Sequence, residues 1–236
     1  MHINQNESLG KMVTEIPDAA RIFHEYGLDF CCGGKQTLAA ACEAKHTDIE
    51  QIKSALSSLN NGSDAHIRWD KRPLDQLIQH ILDTYHASLR ADLPWLIELA
   101  ERVEDVHRDA PDRPTGLVNL LKDIHLAVES HLGKEEQILF PLILSGHGER
   151  AHMPIQVMLQ EHEDHGQNLQ RIRTLTSDLA SPPNACNTWK ELYRALGKLE
   201  VELMAHIHLE NNVLFPRALA GEDAHSSATE NTTGEE

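Results

Sequence analysis

The segment HLGKEEQILFP, starting at His131, returns 75 residues later as HIHLENNVLFP, starting at His206. His131 and Glu135 come back as His206 and Glu210, and Phe140-Pro141 as Phe215-Pro216. The apolar pair Ile138-Leu139 returns as Val213-Leu214. An i, i+4 spacing sets an imidazole and a carboxylate on one face of a helix, one turn apart. Two such helices facing each other across a bundle offer two His and two Glu to a single interior point. Four-helix bundles hold pairs of metal ions in this way.

The pattern predicts an all-α chain: an up-down-up-down four-helix bundle preceded by a small helical domain. Helix A is expected over about 73–107 with a kink at Pro94, helix B over about 115–144, helix C over about 154–179 and helix D over about 188–219. Pro111 and Pro114, Gly146 and Gly148, and Pro182 and Pro183 mark the breaks. Connections this short make neighbouring helices antiparallel. The domains expected are 1–62, 63–220 and an acidic, disordered tail over 221–236. In the first of these, Pro17 starts a helix that Gly27 stops, and a second helix spans about 36–45. Thr47-Asp48-Ile49-Glu50 reads as a capping box for a third, ending near Leu59. The stretch Asn60-Asn61-Gly62-Ser63-Asp64 is the expected linker. So short a unit has little core and must lean on a partner.

In such a bundle, side chains meet only at equal heights. His131 lies about 16 residues into helix B, and His86 lies about 21 before the end of helix A, a fit within about 8 Å at the helical rise; His80 misses by roughly 16 Å. On helix C, His162 and His165 lie on nearly the same face, and height alone leaves both open. His206 sits at the matching level of helix D. One imidazole per helix, with Glu135 and Glu210, makes six donors. His107 is roughly 31 Å along the helix from His86, and His125 is about 9 Å off level. His208 points to a different face from His206. These three read as surface or outlying residues. Phe140-Pro141 and Phe215-Pro216 read as packing and chain-turning features.

Imidazole and carboxylate donors suit iron, manganese or zinc. Six are too many for one tetrahedral zinc. They suit two ions, each taking two imidazoles and sharing two bridging carboxylates. The open positions then leave room for an oxo or hydroxo bridge and a small molecule, which favours two iron ions.

Composition narrows the alternatives. The chain has 236 residues, 40% of them apolar and only 4% aromatic, and a formal charge of −16. That charge argues against nucleic acid. There is no apolar run of the roughly 18 residues a membrane span needs. The start, MHINQNESLG, lacks the basic and apolar parts of a signal peptide, so a cytoplasmic protein is expected. Its cysteines, Cys31, Cys32, Cys42 and Cys186, should then be thiols. The run Gly27-Leu-Asp-Phe-Cys31-Cys32-Gly33-Gly34 reads as a loop. Its two glycines suggest a mobile backbone and reachable thiols.

The chain resembles the RIC (repair of iron centres) family of hemerythrin-like di-iron proteins. The resemblance is carried by the doubled HxxxE, by LQEHEDHG around His162, by ENNVLFP and by GLDFCCGG, and it covers nearly the whole chain. It implies His86, His131, Glu135, His162, His206 and Glu210 as iron ligands, which settles helix C in favour of His162. It implies repair of iron–sulfur clusters damaged by oxidative or nitrosative stress, through donation of iron to damaged iron–sulfur proteins, and it implies a homodimer. Thiolates favour soft metals and iron–sulfur chemistry, so Cys31 and Cys32 are expected as the working thiols, accepting released iron, reacting with a nitrosyl species or docking a damaged cluster. Iron donation is a maintenance role more than enzymatic turnover. The alternatives are a di-iron redox enzyme acting on nitric oxide or peroxide, and a hemerythrin-type oxygen carrier or sensor. A carrier has no use for exposed thiols. A ferritin-like store would carry Glu-x-x-His pairs instead.

Overall fold

Short polar side chains nucleate the first helices. The Ser8 hydroxyl accepts from Lys11 N at the start of α1 (Leu9–Glu15), which follows no proline or glycine cue and is absent from the sequence-based expectation. Thr37 does the same at the start of α3 (Leu38–Lys45) by accepting from Ala40 N. Ser8 and Thr37 pair as an antiparallel bridge, so the two helix starts are tied together. Between them, α2 (Ala19–Glu25) begins two residues after Pro17 and ends at Gly27, whose φ of 66° suits glycine. The cap of α4 (Ile49–Ser57) is Asp48, which accepts from Glu50 N, while Thr47 turns back to Lys45 O. The capping box expected at Thr47 is therefore not made. The computed structural model describes residues 3–59 and 67–225; the expected linker at Asn60 to Asp64 and the tail beyond 225 lie outside them.

Four long rods follow. Rod A runs over 74–106, rod B over 117–144, rod C is His152–Leu175 and rod D runs over 187–219. Salt bridges fix the directions. Arg90 meets Glu136 and Glu101 meets Lys122, so rods A and B are antiparallel. Asp92 meets Lys198, and Ser88 bonds Glu202, so rods A and D are antiparallel too. Arg173 with Glu200, set beside His162 with Asn211, makes rods C and D antiparallel. The bundle is up-down-up-down, as expected. No helix among the described residues is long and apolar enough to cross a membrane.

Three rods widen by one π-helical stretch: Ile81–His86 in rod A, Glu135–Leu139 in rod B and Glu210–Leu214 in rod D. Such turns are rare and gather at functional sites. In rods B and D a proline follows at once, Pro141 and Pro216, each the second residue of the α-helix that resumes. A proline cannot bond the carbonyl four residues back. The wide turn before it absorbs that loss, and the rod continues. These prolines do not turn the chain. Rod A also runs through Pro94.

Rod C stops at Leu175, earlier than expected, because Ser177, Asp178 and Leu179 all adopt positive φ, between 50° and 60°. Thr176 Oγ1 holds the turn by accepting from Leu179 N. The first part of the expected disordered tail is ordered: Ala224 is buried, and its carbonyl accepts from Asp75 N at the start of rod A.

Two apolar clusters fill the interior. One takes the small helices together with Leu89, Leu93, Val128, Leu169 and Leu203. The other takes Leu77, Ile78, Leu139, Phe140, Met158, Val213 and Phe215. The small helices thus share a core with the bundle, which is how so short a unit is stabilised.

Candidate metal centre

Between the two apolar clusters lies a polar layer. All six residues expected to bind metal meet there, and each is at most 3% exposed. Glu135 spans two imidazoles: its Oε2 is 3.4 Å from His86 Nε2, and its Oε1 is 3.4 Å from His131 Nε2. Glu210 does likewise, with Oε1 3.1 Å from His206 Nε2 and Oε2 3.2 Å from His162 Nε2. The donors fall into two sets sharing both carboxylates, His86 with His206 and His131 with His162. Within each set the ligand atoms lie within 4.8 Å of one another. The pairing of imidazoles, which spacing left open, follows from this geometry.

The outer nitrogens are held by neighbouring rods. His86 Nδ1–H donates to Glu136 at 2.8 Å, and Arg90 grips that carboxylate. His131 Nδ1–H donates to Glu161 at 2.9 Å, and Lys134 binds its other oxygen. His162 Nδ1–H donates to Asn211 Oδ1 at 2.7 Å. An acceptor on Nδ1 fixes the tautomer and leaves the Nε2 lone pair facing inward, as in metal sites. His206 instead stacks on Tyr85, ring centroids 5.5 Å apart. Phe140 and Phe215 stack on His86 and His162, so the repeated phenylalanines wall the site.

Most of the inward atoms are left without hydrogen-bond partners: both oxygens of Glu135 and of Glu210, Nε2 of His86, and both nitrogens of His206, while the Nε2 atoms of His131 and His162 lie 3.1 Å apart. Buried groups are almost always paired, and an unpaired one costs about 1–3 kcal/mol. Burial, and then the Glu210 charge, push the Glu135 carboxyl well above the usual carboxylate range. Glu210 is held well below that range: burial opposes this, but the His206 and His162 imidazoles outweigh it. Burial, then His162, drives His131 down to about 2, so it is neutral. Four imidazoles converging on two dry carboxyl groups make a donor set of the kind that divalent cations take. The residues present fit a metal pair.

Glu136, Glu161 and Asn211 were not singled out from the sequence. Each is the chain neighbour of a site residue: Glu135, His162 and Glu210 respectively. A one-residue step turns a side chain about 100° round the helix, toward the adjacent rod. That signal was available. His165 was set aside in favour of His162, yet it is 3% exposed and its ring lies edge-on to His131, centroids 5.0 Å apart. Of the two readings open for His208, a surface residue or one behind the ligands, the surface one is excluded, for it is buried against Phe30 and beside Asn212. His107 contacts Cys186 and Trp189, away from the site. His80 stacks on Trp69, and His125 lies near Glu129.

The cysteine loop is also corrected in part. Cys31 is buried, and only Cys32 keeps partial exposure. The Cys32 thiol donates to the carbonyl of His162 at 3.4 Å. Asn212 Nδ2 donates to the carbonyls of Phe30 and Cys31, and Asn211 Nδ2 reaches Cys31 O. A Cβ on Gly34 would fall 2.5 Å from Asn212 Oδ1, and one on Gly33 2.9 Å from Asp29 O. Gly34 serves close approach to rod D and Gly33 close approach to Asp29 within the loop. Hydrogen bonding to Cys32, then burial, hold the Cys31 thiol far above its ordinary pKa. A cleft of about 690 Å³ opens beside the loop, lined by Cys31, Cys32, Glu163, Gln170, Arg173 and Glu200.

Residues 77–218 match the Hemerythrin HHE cation binding domain. Residues 5–60 match a domain of unknown function, DUF542. The chain is 47% identical to the iron-sulfur cluster repair protein YtfE of Dickeya chrysanthemi strain Ech1591 over 218 residues, 92% of this chain and 99% of the relative. It is 46% identical to the protein of that name from Escherichia coli O157:H7, with the same coverage. The Musicola paradisiaca strain Ech703 protein of that name is also 46% identical, over 94% of this chain and all of the relative.

Proposed function

This chain belongs to the iron–sulfur cluster repair family built on a hemerythrin HHE cation binding domain, and from that premise we propose that it repairs damaged iron–sulfur clusters by giving up iron held in its bundle. The observation that carries this reading is the pair of buried carboxylates, each spanning two imidazoles, with their inward atoms otherwise unsatisfied. His86 and His206 would hold one iron and His131 and His162 the other, with Glu135 and Glu210 bridging both. An oxo or hydroxo group would complete the pair. Iron there supplies a redox-active cation that can be released.

The protein's own groups set how firmly that iron is held. Glu136 and Glu161 keep two imidazoles oriented and basic. The apolar clusters above and below the layer exclude water and strengthen every charge interaction inside. Cys32 lies one hydrogen bond from the backbone of a ligand imidazole and faces the cleft. Thiolates suit iron–sulfur chemistry, so Cys31 and Cys32 are the groups we assign to receiving iron or docking a damaged cluster. The recipients are damaged iron–sulfur proteins. Cytoplasmic residence fits the four free cysteines, and the working form is taken as a homodimer.

The test mixes iron-loaded protein with a cluster-depleted acceptor protein and follows cluster recovery. We expect delivery of about one iron equivalent without turnover. We also expect the Cys31→Ser/Cys32→Ser double variant to keep its iron yet transfer less. Sustained consumption of nitric oxide or peroxide with no loss of iron would establish redox catalysis instead. Equal transfer by the double variant would remove the thiols from the scheme.

A further inference from the structure

The residues adjoining the metal layer form a second, regular layer. On rods B and D the carboxylates lie one turn C-terminal to His131 and His206. Rods A and C run the other way. The far side of the imidazoles, away from both carboxylates, is therefore met three residues after His86 and His162 and three residues before His131 and His206. Those positions are Leu89, His165, Val128 and Leu203, all buried. Three are apolar members of one core cluster. The fourth is an imidazole with no hydrogen-bond partner on either nitrogen.

His165 is an unusual residue to bury there, since an apolar side chain would complete the layer at no polar cost. Its ring stands edge-on to His131. A neutral imidazole carries one N–H and one lone pair. It stands outside both donor sets as a side chain bordering them. Glu135 and Glu210 approach the donor layer from one side, a bound metal pair would be open to further ligands on the other, and His165 is the one polar residue of the four that form that side.

Building on the metal pair assigned above, we propose that His165 donates a hydrogen bond to a small anion bound on the face of the metal pair opposite Glu135 and Glu210, and so sets the affinity of that face for exogenous ligands. The class of ligand is a small inorganic anion such as azide, since the other three residues of that layer, Leu89, Val128 and Leu203, are buried and apolar. His165 acts as a positioning residue and is not a seventh metal ligand.

Azide is the probe. The full-length chain is loaded with iron, its metal content and absorption spectrum are recorded, and azide is titrated into wild type, His165→Leu and His165→Gln. Leu keeps the bulk and removes the donor, while Gln keeps a donor. We expect all three to hold the same iron with the same spectrum before azide. We expect azide to bind about tenfold more weakly to the Leu variant, with Gln restoring part of the loss, as for loss of a hydrogen bond to a charged partner. Equal azide affinity in wild type and Leu would overturn the proposal. Loss of iron from both variants would also overturn it, because His165 would then be a ligand. Failure of the wild type itself to take up iron would sink the metal-pair reading, an outcome read before any azide is added.

Discussion

At the scale of single residues, the donor layer depends on groups that belong to neither donor set. Glu161 accepts from His131 Nδ1 and is itself held by Lys134. Replacing it with Gln keeps the shape but removes the charge that makes the imidazole a better donor. Loss of such an outer partner typically costs 10–100-fold in metal affinity. We therefore expect Glu161→Gln to weaken iron binding by about 10-fold or more in a chelator competition, with helix content unchanged. An unaltered affinity would mean that the contact only fills space. The same reasoning explains which residues the sequence revealed. The six inward side chains announced themselves through the doubled HxxxE and through matching heights. Glu136, Glu161 and Asn211 did not, because their role is defined by a neighbouring rod.

At the scale of elements, the rods owe their site to three widened turns, at Ile81–His86, Glu135–Leu139 and Glu210–Leu214. The sequence pattern gave rods of nearly the right extent, since apolar periodicity and proline or glycine breaks survive in any context. It could not give the π turns, which cost backbone bonding geometry and persist because the packed bundle holds them. Nor could it give the left-handed run Ser177 to Leu179, for which the residue types offer no cue. The loop carrying Cys31 and Cys32 shows the opposite error. Two adjacent glycines read as mobility, whereas Gly34 lets Asn212 of rod D reach the carbonyls of Phe30 and Cys31 and Gly33 lies against Asp29. A methyl at Gly34 would fall 2.5 Å from Asn212 Oδ1 and 2.7 Å from Phe30 O. Forced overpacking of this kind costs about 1–3 kcal/mol. Gly34→Ala should lower the unfolding midpoint and speed alkylation of the buried Cys31 while leaving iron in the bundle. A labelling rate equal to wild type would show that the loop is not held by this contact.

For the whole molecule, the metal layer separates two hydrophobic clusters, and the small helices join one of them. The donor layer, thiols and cleft are thereby placed in one continuous body, with Asn211 bonded both to His162 and to the Cys31 carbonyl. Both carboxylates serve both metal positions, so the two ions should be lost together when either carboxylate is removed. An imidazole serves one position only. The most direct test is iron content per chain, with the Mössbauer spectrum, for wild type, Glu135→Ala and His86→Ala after identical loading. The expected result is two coupled irons in wild type, matching the two donor sets, near-complete loss of both in Glu135→Ala, and a milder, one-sided loss in His86→Ala. A single uncoupled ion in wild type, or two irons retained without Glu135, would contradict the shared-carboxylate centre.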